Sequence, residues 1–160
     1  MSYRIGLGTD FHQLAAGRKL WLGGIEIPHD KGLLGHSDAD VLLHAMCDAM
    51  LGALSLGDIG VHFPDSDPKL KDVDSKVLLR KTFQIIRERG FRIVNLDTVV
   101  CLEKPKIMGY AAGMRSLISQ ILEISPDDVS IKATTAEKLG FIGREEGIMA
   151  QAVVLLRKSD

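Results

Sequence analysis

Apolar residues near the N-terminus fall in short extended runs, whereas those in the middle of the chain recur at helical spacing. Residues 3–9 and 20–27 (LWLGGIEI) read as strands, the second pinched by Gly23–Gly24 and stopped by Pro28. From Ser37 the period changes. SDADVLLHAMCDAMLGAL predicts a helix that Ser37 or Asp38 can cap, and it is apolar almost all round, which predicts burial on more than one side. Residues 57–74 are rich in Gly, Pro and Asp and predict a long loop, of a length that is usually functional or disordered. A second helix follows over SKVLLRKTFQIIRERG, with Leu78, Leu79, Phe83 and Ile86 in a stripe and Gly90 at the C′ position. FRIVNLDTVVCLE reads as a strand, residues 111–124 as a third helix closed before Ser125–Pro126, and VSIKATTAE as a strand ending in hydroxyls. KLGFIGREEG is a Gly-punctuated loop and IMAQAVVLLRK a final strand.

The order β, β, α, α, β, α, β, β predicts a single α+β domain over residues 1–160. Its expected architecture is a mixed, mostly four-stranded sheet with helices on one face. Two terminal strands with a short connection suggest an antiparallel pair, and the strand–helix–strand segment allows a parallel one. No helix is left over for the other face of the sheet, which argues for oligomerisation through it.

Composition narrows the classes. The 160 residues are 46% hydrophobic and 26% charged, an ordinary balance for a chain that buries a core. Net charge is −1 and the basic residues are scattered, so nucleic acid is not an expected partner. No apolar run is long enough to span a bilayer and no basic segment precedes an apolar one at the N-terminus, so no membrane partner is expected. Cys47 and Cys101 stand in no paired spacing and read as buried free thiols of a reducing compartment, the cytoplasm.

The chemistry begins in GTDFHQL. In an extended chain Asp10 and His12 project to the same face. Alone they fit a turn Asp beside an exposed His. His44 lies in the first helix, with Asp40 and Asp48 at i−4 and i+4 on its face. Two imidazoles and a carboxylate suit Zn²⁺, and three protein ligands leave a fourth tetrahedral position open, as a catalytic zinc needs. A core histidine explains His44 equally well, because sequence does not bring it to the pair. His36 and Ser37 precede the helix, where they read either as cap residues or as a phosphate site. Asp65 and Asp67 in HFPDSDP suit a turn or an acidic loop. KATTAEK places Thr134, Thr135 and Glu137 at a strand end, hydroxyls for phosphate and a carboxylate for a hard cation such as Mg²⁺, or simply a Thr-rich turn. Arg144 can grip phosphate bidentately or pair with a surface carboxylate. Lys104 and Lys106 flank Pro105 in EKPK, otherwise a solvated turn.

Taken together, GTDFHQL, KGLLGHSDADVLLHAMCDAMLGALSLGDIGVHFPDSDP, EKPK and IKATTAEKLGFIGREEGI resemble the 2-C-methyl-D-erythritol 2,4-cyclodiphosphate synthase family of the non-mevalonate isoprenoid pathway. The resemblance runs end to end, and the DxH, HSDxD, DIG and FPDxD elements occur in order. It implies a homotrimer of mixed sheets with active sites between subunits. It also implies attack by the 2-phosphate of 4-diphosphocytidyl-2-C-methylerythritol 2-phosphate on its own β-phosphate, releasing CMP. By that resemblance Asp10, His12 and His44 hold Zn²⁺, a Lewis acid and template. Glu137 holds a second divalent ion, Mg²⁺ or Mn²⁺. His36 and Thr135 orient or stabilise the transferring phosphate, and Ser37 binds on the methylerythritol phosphate side. Asp58, Ile59 and Gly60 with Phe63, Pro64, Asp65, Ser66 and Asp67 form a flexible wall around the methylerythritol hydroxyls. Pro105 and Lys106, within residues 102–108, hold the cytidine diphosphate with Thr134, and Phe141 and Arg144 complete the phosphate end near the threefold axis. Two positions depart from the family pattern. Ala136 stands where a third Thr is common, and Gln151 where a Glu often faces the trimer's central cavity.

Two other readings compete. A zinc phosphohydrolase would use the same three ligands with a bound hydroxide. A non-catalytic trimeric binding module would use zinc for structure.

Overall fold

The computed structural model describes residues 2–159 with the exception of Asp65 and Lys71. Strand β1 (Tyr3–Ala16) and strand β7 (Gly147–Lys158) pair antiparallel, in register from Tyr3 opposite Arg157 to Gln13 opposite Gly147, so the antiparallel pair joins the two ends of the chain rather than strands linked by a short connection as expected. On its other side β7 pairs antiparallel with β5 (Phe91–Cys101), and β5 pairs parallel with β6 (Val129–Thr134), as the strand–helix–strand order predicts. A short strand β4 (Lys31–Leu33) extends the sheet beyond β1, so the order is β4-β1-β7-β5-β6. The mixed sheet thus has five strands rather than mostly four. β4 is three residues long, too short to display an alternation in sequence.

The expected strand over 20–27 is instead a hairpin of β2 (Leu20–Leu22) and β3 (Ile25–Ile27). Gly23 and Gly24, at φ 59° and 78°, make the reversal, the double left-handed turn that favours glycine. Helix α1 (Val41–Ala53) starts later than expected. Its N-cap is Asp40, which accepts from the Leu43 N–H, so neither Ser37 nor Asp38 caps it. The predicted loop 57–74 contains a one-turn helix α2 (Ile59–His62) and a 3₁₀ turn over Pro68–Leu70, and the 138–147 loop contains α5 (Gly140–Gly143). Between them run α3 (Ser75–Glu88), capped by Asp74 and followed by Gly90 at φ 73°, and α4 (Ala111–Leu122), ended by a left-handed Glu123.

One packing contact positions the site. A Cβ at Gly6 would collide with the Ala49 carbonyl oxygen, and one at Gly8 with that of Ala45. Glycines on β1 and the alanine row Ala45, Ala49, Ala53 on α1 therefore let helix and strand backbones touch. Asp40, fully buried, accepts from the Gly23, Gly24 and Leu43 N–H groups and ties the hairpin to the start of α1.

The opposite sheet face is open. Ile5 and Leu7 are 72% and 62% exposed, with Tyr3, Phe11 and Val153 beside them. Both cysteines are free. Cys47 is buried, which pushes its thiol up to about 12. Cys101 is only half-buried, contrary to expectation, because it alternates with buried Val100 toward the open face.

Candidate metal centre and its neighbouring cleft

Asp10 and His12 do share a face, but they lie within β1 rather than at its mouth: Asp10 stands opposite Ala150 and His12 opposite Ile148. That face is the one α1 covers. Because the glycine contact draws the helix in, His44, next to Ala45, reaches the pair. Asp10 Oδ2 is 3.0 Å from His12 Nε2 and 3.1 Å from His44 Nδ1, and the two ring nitrogens are 3.1 Å apart. These three form the metal-capable His/Cys/Asp/Glu cluster found among the described residues.

His12 Nδ1 lies 2.7 Å from the Leu34 carbonyl, which can only accept, so a proton sits there and Nε2 faces inward. Gly35 leaves room for this ring, since a Cβ there would press on His12 Cε1 at 3.0 Å. Burial alone would raise the Asp10 carboxyl, but hydrogen bonds and charge from His12 and His44 hold it well below the usual carboxylate range. Burial alone would lower His12, and the Asp10 carboxylate more than reverses this. A carboxylate and inward ring nitrogens call for a cation between them. Ligand atoms of a tetrahedral zinc, ~2.0–2.2 Å from the metal, lie ~3.3 Å apart. The observed 3.0–3.1 Å gaps fit such an ion with a slight opening.

A cleft of about 390 Å³ opens over the triad and includes His36, Ser37, Ile59, Gly60, Phe63, Pro64 and Ser66 in its walls. His36 is exposed at the rim. Ser37 is buried, and its Oγ accepts from the Ala39 N–H and lies 3.2 Å from His44 Nε2. Neither adjoins the helix terminus itself, whose first turn Asp40 occupies, so the expected anion site at that terminus is not formed by helix N–H groups. Asp58 caps α2 by accepting from the Val61 N–H, and the Ile59 N–H donates to Asp48 Oδ1 at 2.7 Å. Asp48 therefore anchors this wall to α1, one turn beyond His44. Phe63 lies under Lys81, with the ammonium 6.0 Å from the ring centre. The Asp67 N–H donates to the Pro64 carbonyl, and Asp65 lies outside the described residues.

The remaining predicted residues gather elsewhere. Pro105, Lys106, Thr134 and Thr135 line a second cleft of about 160 Å³, with Glu103 among them. Thr135 Oγ1 donates to Glu137 Oε1 at 2.9 Å. Glu137 and Lys138 are both left-handed, at φ 51° and 64°. Glu103, missed in the sequence, holds that turn by accepting from the Ala136 and Lys138 N–H groups at 3.0 and 3.1 Å. Phe141 packs against Phe11, with ring centres 6.0 Å apart. Arg144 forms a two-pronged pair with Glu146, the surface-carboxylate alternative left open by sequence. In register, Phe11, Met149, Cys101 and Thr134 form one row across β1, β7, β5 and β6. Three strand spacings, ~14 Å, therefore separate the Asp10–His12 strand from Thr134. Asp10 and His12 face α1, whereas Thr134 alternates with the helix-side Ile131 and Ala133 and projects to the open face.

A family model described as the YgbB family matches residues 3–157. The chain is 58% identical over 156 residues to a 2-C-methyl-D-erythritol 2,4-cyclodiphosphate synthase of Bacillus mycoides (strain KBAB4), covering 98% of this chain and 99% of the relative. Its fold is similar to that of the bifunctional IspDF from Campylobacter jejuni, with a TM-score of 0.95 and 42% identity over 99% of this chain; the chain spans 43% of that longer protein. It is also similar to IspF of Plasmodium falciparum in a CDP complex, with a TM-score of 0.88, 34% identity, and 99% and 98% of the two chains covered.

Proposed function

The chain belongs to the YgbB family, and from that premise we propose that residues 1–160 form one cyclodiphosphate synthase domain of isoprenoid precursor biosynthesis. The observation that carries the reading is the inward convergence of Asp10, His12 and His44 beneath a cleft, in a chain whose relatives bear the synthase name. The substrate is 4-diphosphocytidyl-2-C-methyl-D-erythritol 2-phosphate. An oxygen of its 2-phosphate attacks the β-phosphorus, a new P–O bond closes the ring, and the bond from that phosphorus to the bridging oxygen breaks. CMP leaves with that oxygen, making the enzyme a phosphorus–oxygen lyase.

Asp10, His12 and His44 are the zinc ligands, and Glu137 the ligand of a second divalent ion, Mg²⁺ or Mn²⁺. Bound there, the two cations would supply Lewis-acid charge neutralisation and a template for in-line displacement. The protein's own groups do the placing. His36, exposed at the cleft rim, and Thr135, whose hydroxyl is already oriented on Glu137, flank the transferring phosphate. Ser37 meets the methylerythritol phosphate. Asp58, Ile59 and Gly60, with Phe63, Pro64, Asp65, Ser66 and Asp67, close around the hydroxyls, and the Asp48 anchor limits how far that wall strays. Pro105, Lys106 and Thr134 hold the cytidine diphosphate, an assignment in keeping with the CDP complex of the Plasmodium falciparum relative. Phe141 and Arg144 complete the phosphate end.

His36, Ser37, Ile59, Gly60 and Phe63 line one cleft, Pro105, Lys106, Thr134 and Thr135 another, and the open sheet face carries exposed Ile5, Leu7 and Phe11. A homotrimer packed through that face would cover the apolar patch and set one chain's metal cleft against the next chain's nucleotide cleft. Free Cys47 and Cys101 suit a cytoplasmic setting. The structure has, among the described residues, no helix long and apolar enough to cross a membrane.

Phosphorus NMR of the protein with substrate, Zn²⁺ and Mg²⁺ tests the reading. Coupled resonances of a cyclic diphosphate are expected to rise in step with CMP. Inorganic phosphate or a linear methylerythritol diphosphate would instead make water the nucleophile and the protein a hydrolase.

A further inference from the structure

Behind His44, on the side away from Asp10 and His12, lies a half-buried polar chain that metal binding by itself does not require. His44 Nε2 is 2.9 Å from Ser75 Oγ, and the Ser75 hydroxyl donates in turn to Asp38 Oδ1. Asp38 Oδ2 also accepts the Ser75 backbone N–H at 3.1 Å, so the carboxylate grips that residue twice. Ser75 is fully buried, the first residue of α3, directly after its cap Asp74. Asp38 is fixed from its own backbone, whose N–H donates to the Val73 carbonyl.

A serine hydroxyl has one proton to give. Here it goes to the carboxylate, the stronger acceptor, so toward His44 the Ser75 oxygen can only accept. Of the two neutral His44 tautomers, the one with its proton on Nε2 bonds the Ser75 oxygen and presents the Nδ1 lone pair to the centre, the form a cation there needs. Without that chain, the Asp10 carboxylate, 3.1 Å from Nδ1, would compete for the proton, and a protonated Nδ1 would block the centre.

We propose that Ser75 and Asp38 are positioning residues of the metal centre, a serine-relayed carboxylate that fixes the tautomer and orientation of His44. The inference rests on the zinc reading of the triad and deepens it: the site is built from three ligands plus two outer partners, Leu34 for His12 and Ser75–Asp38 for His44. Ser37 Oγ, 3.2 Å from Nε2 and 3.5 Å from Ser75 Oγ, is the longer second contact; it accepts the Ala39 N–H and bonds no carboxylate. Outer partners of metal-bound histidines are typically worth ~10–100-fold in metal affinity.

The test is zinc affinity by competition with a chromophoric chelator, together with ¹⁵N NMR of the His44 ring in the metal-free protein. Alanine suits the first turn of a helix and keeps the backbone N–H bonded to Asp38, so Ser75→Ala is expected to fold as the wild type does. Its zinc affinity should fall ~10–100-fold, and the His44 signals should shift from protonated Nε2 toward a mixture of tautomers. Asp38→Asn should shift both readouts in the same direction. Wild-type affinity together with a wild-type tautomer in Ser75→Ala would overturn this inference and leave the zinc reading standing. A wild-type protein that binds no zinc would overturn the zinc reading, and this inference with it.

Discussion

The cleft over Asp10, His12 and His44 (the proposed metal half) and the cleft beside Thr134 and Thr135 (the proposed nucleotide half) are built to different degrees. Around Asp10, His12 and His44 nearly every polar atom already has a partner within the chain: Leu34 behind His12, Ser75 behind His44, and Asp48 holding the wall at Ile59. Around Thr134–Glu137 the side-chain bonds are local, Thr134 to the Thr135 carbonyl and Thr135 to Glu137, and one half-buried carboxylate, Glu103, supports the turn. The first region rests on the contact between α1 and β1. The second hangs from the ends of β5 and β6 next to an open sheet face. A site finished within one chain can be fully preorganised there, whereas a site that another copy completes leaves groups unpaired until assembly.

The largest effect expected from this difference belongs to the built half. His44→Ala removes one of three ligands but leaves the glycine–alanine contact intact, so the protein should fold, lose zinc and lose about 10³-fold in turnover. Metal analysis and circular dichroism on one preparation check it. An unfolded His44→Ala protein would mean that the cation serves structure rather than chemistry.

A second experiment asks whether the unfinished half is completed by another chain. Glu137→Ala should be inactive while retaining zinc. If one site draws its metal half and its nucleotide half from different chains, randomly mixed trimers of His44→Ala and Glu137→Ala recover about a quarter of the wild-type sites, since each half is intact with even odds. Activity of the co-refolded mixture measures this. Mixed oligomers confirmed by mass spectrometry but showing no recovery would place both halves in one chain.

The sequence was more informative about the built half, yet not about what builds it. Alternation alone put Asp10 and His12 on one face, and helical spacing put His44 with Asp40 and Asp48. What joined them was not visible as chemistry. It was the small-residue match of Gly6 and Gly8 with Ala45, Ala49 and Ala53, which reads as composition until strand and helix are known to cross. The parallel β5–β6 pair followed from the helix between its strands, but the β1–β7 pair did not, since it joins the two ends of the chain, and neither did β4 or the β2–β3 hairpin, since segments of three residues carry no period. Ser37 and Asp38 looked like caps because cap residues cluster; the helix used Asp40, whose carboxylate was also needed by the Gly23–Gly24 turn. Ser75 and Glu103 escaped notice for a common reason. Each acts through backbone or a second side chain distant in sequence, and only three-dimensional contact reveals the partner.

Glu103 gives the smallest effect and the sharpest contrast with the metal cleft. Two consecutive left-handed residues that are not glycine, Glu137 and Lys138, follow Thr135, a conformation that costs about 1 kcal/mol or more at each position unless something holds it. The two N–H groups bonded to Glu103 Oε1 are the holding contact. Because the turn is largely exposed, water can take over when the carboxylate is removed, so Glu103→Ala should cost only ~1 kcal/mol of stability. The loosened turn carries Thr135 and Glu137, so the KM for the nucleotide substrate should rise roughly tenfold, the size of one modest contact. Zinc content should not change. Glu103→Gln keeps an acceptor oxygen and should fall between the two. Denaturant melts, steady-state kinetics and metal analysis on the same variants separate the outcomes. A loss of zinc in Glu103→Ala would show that the two clefts support each other within the chain, and the contrast between a built half and an unfinished one would fail.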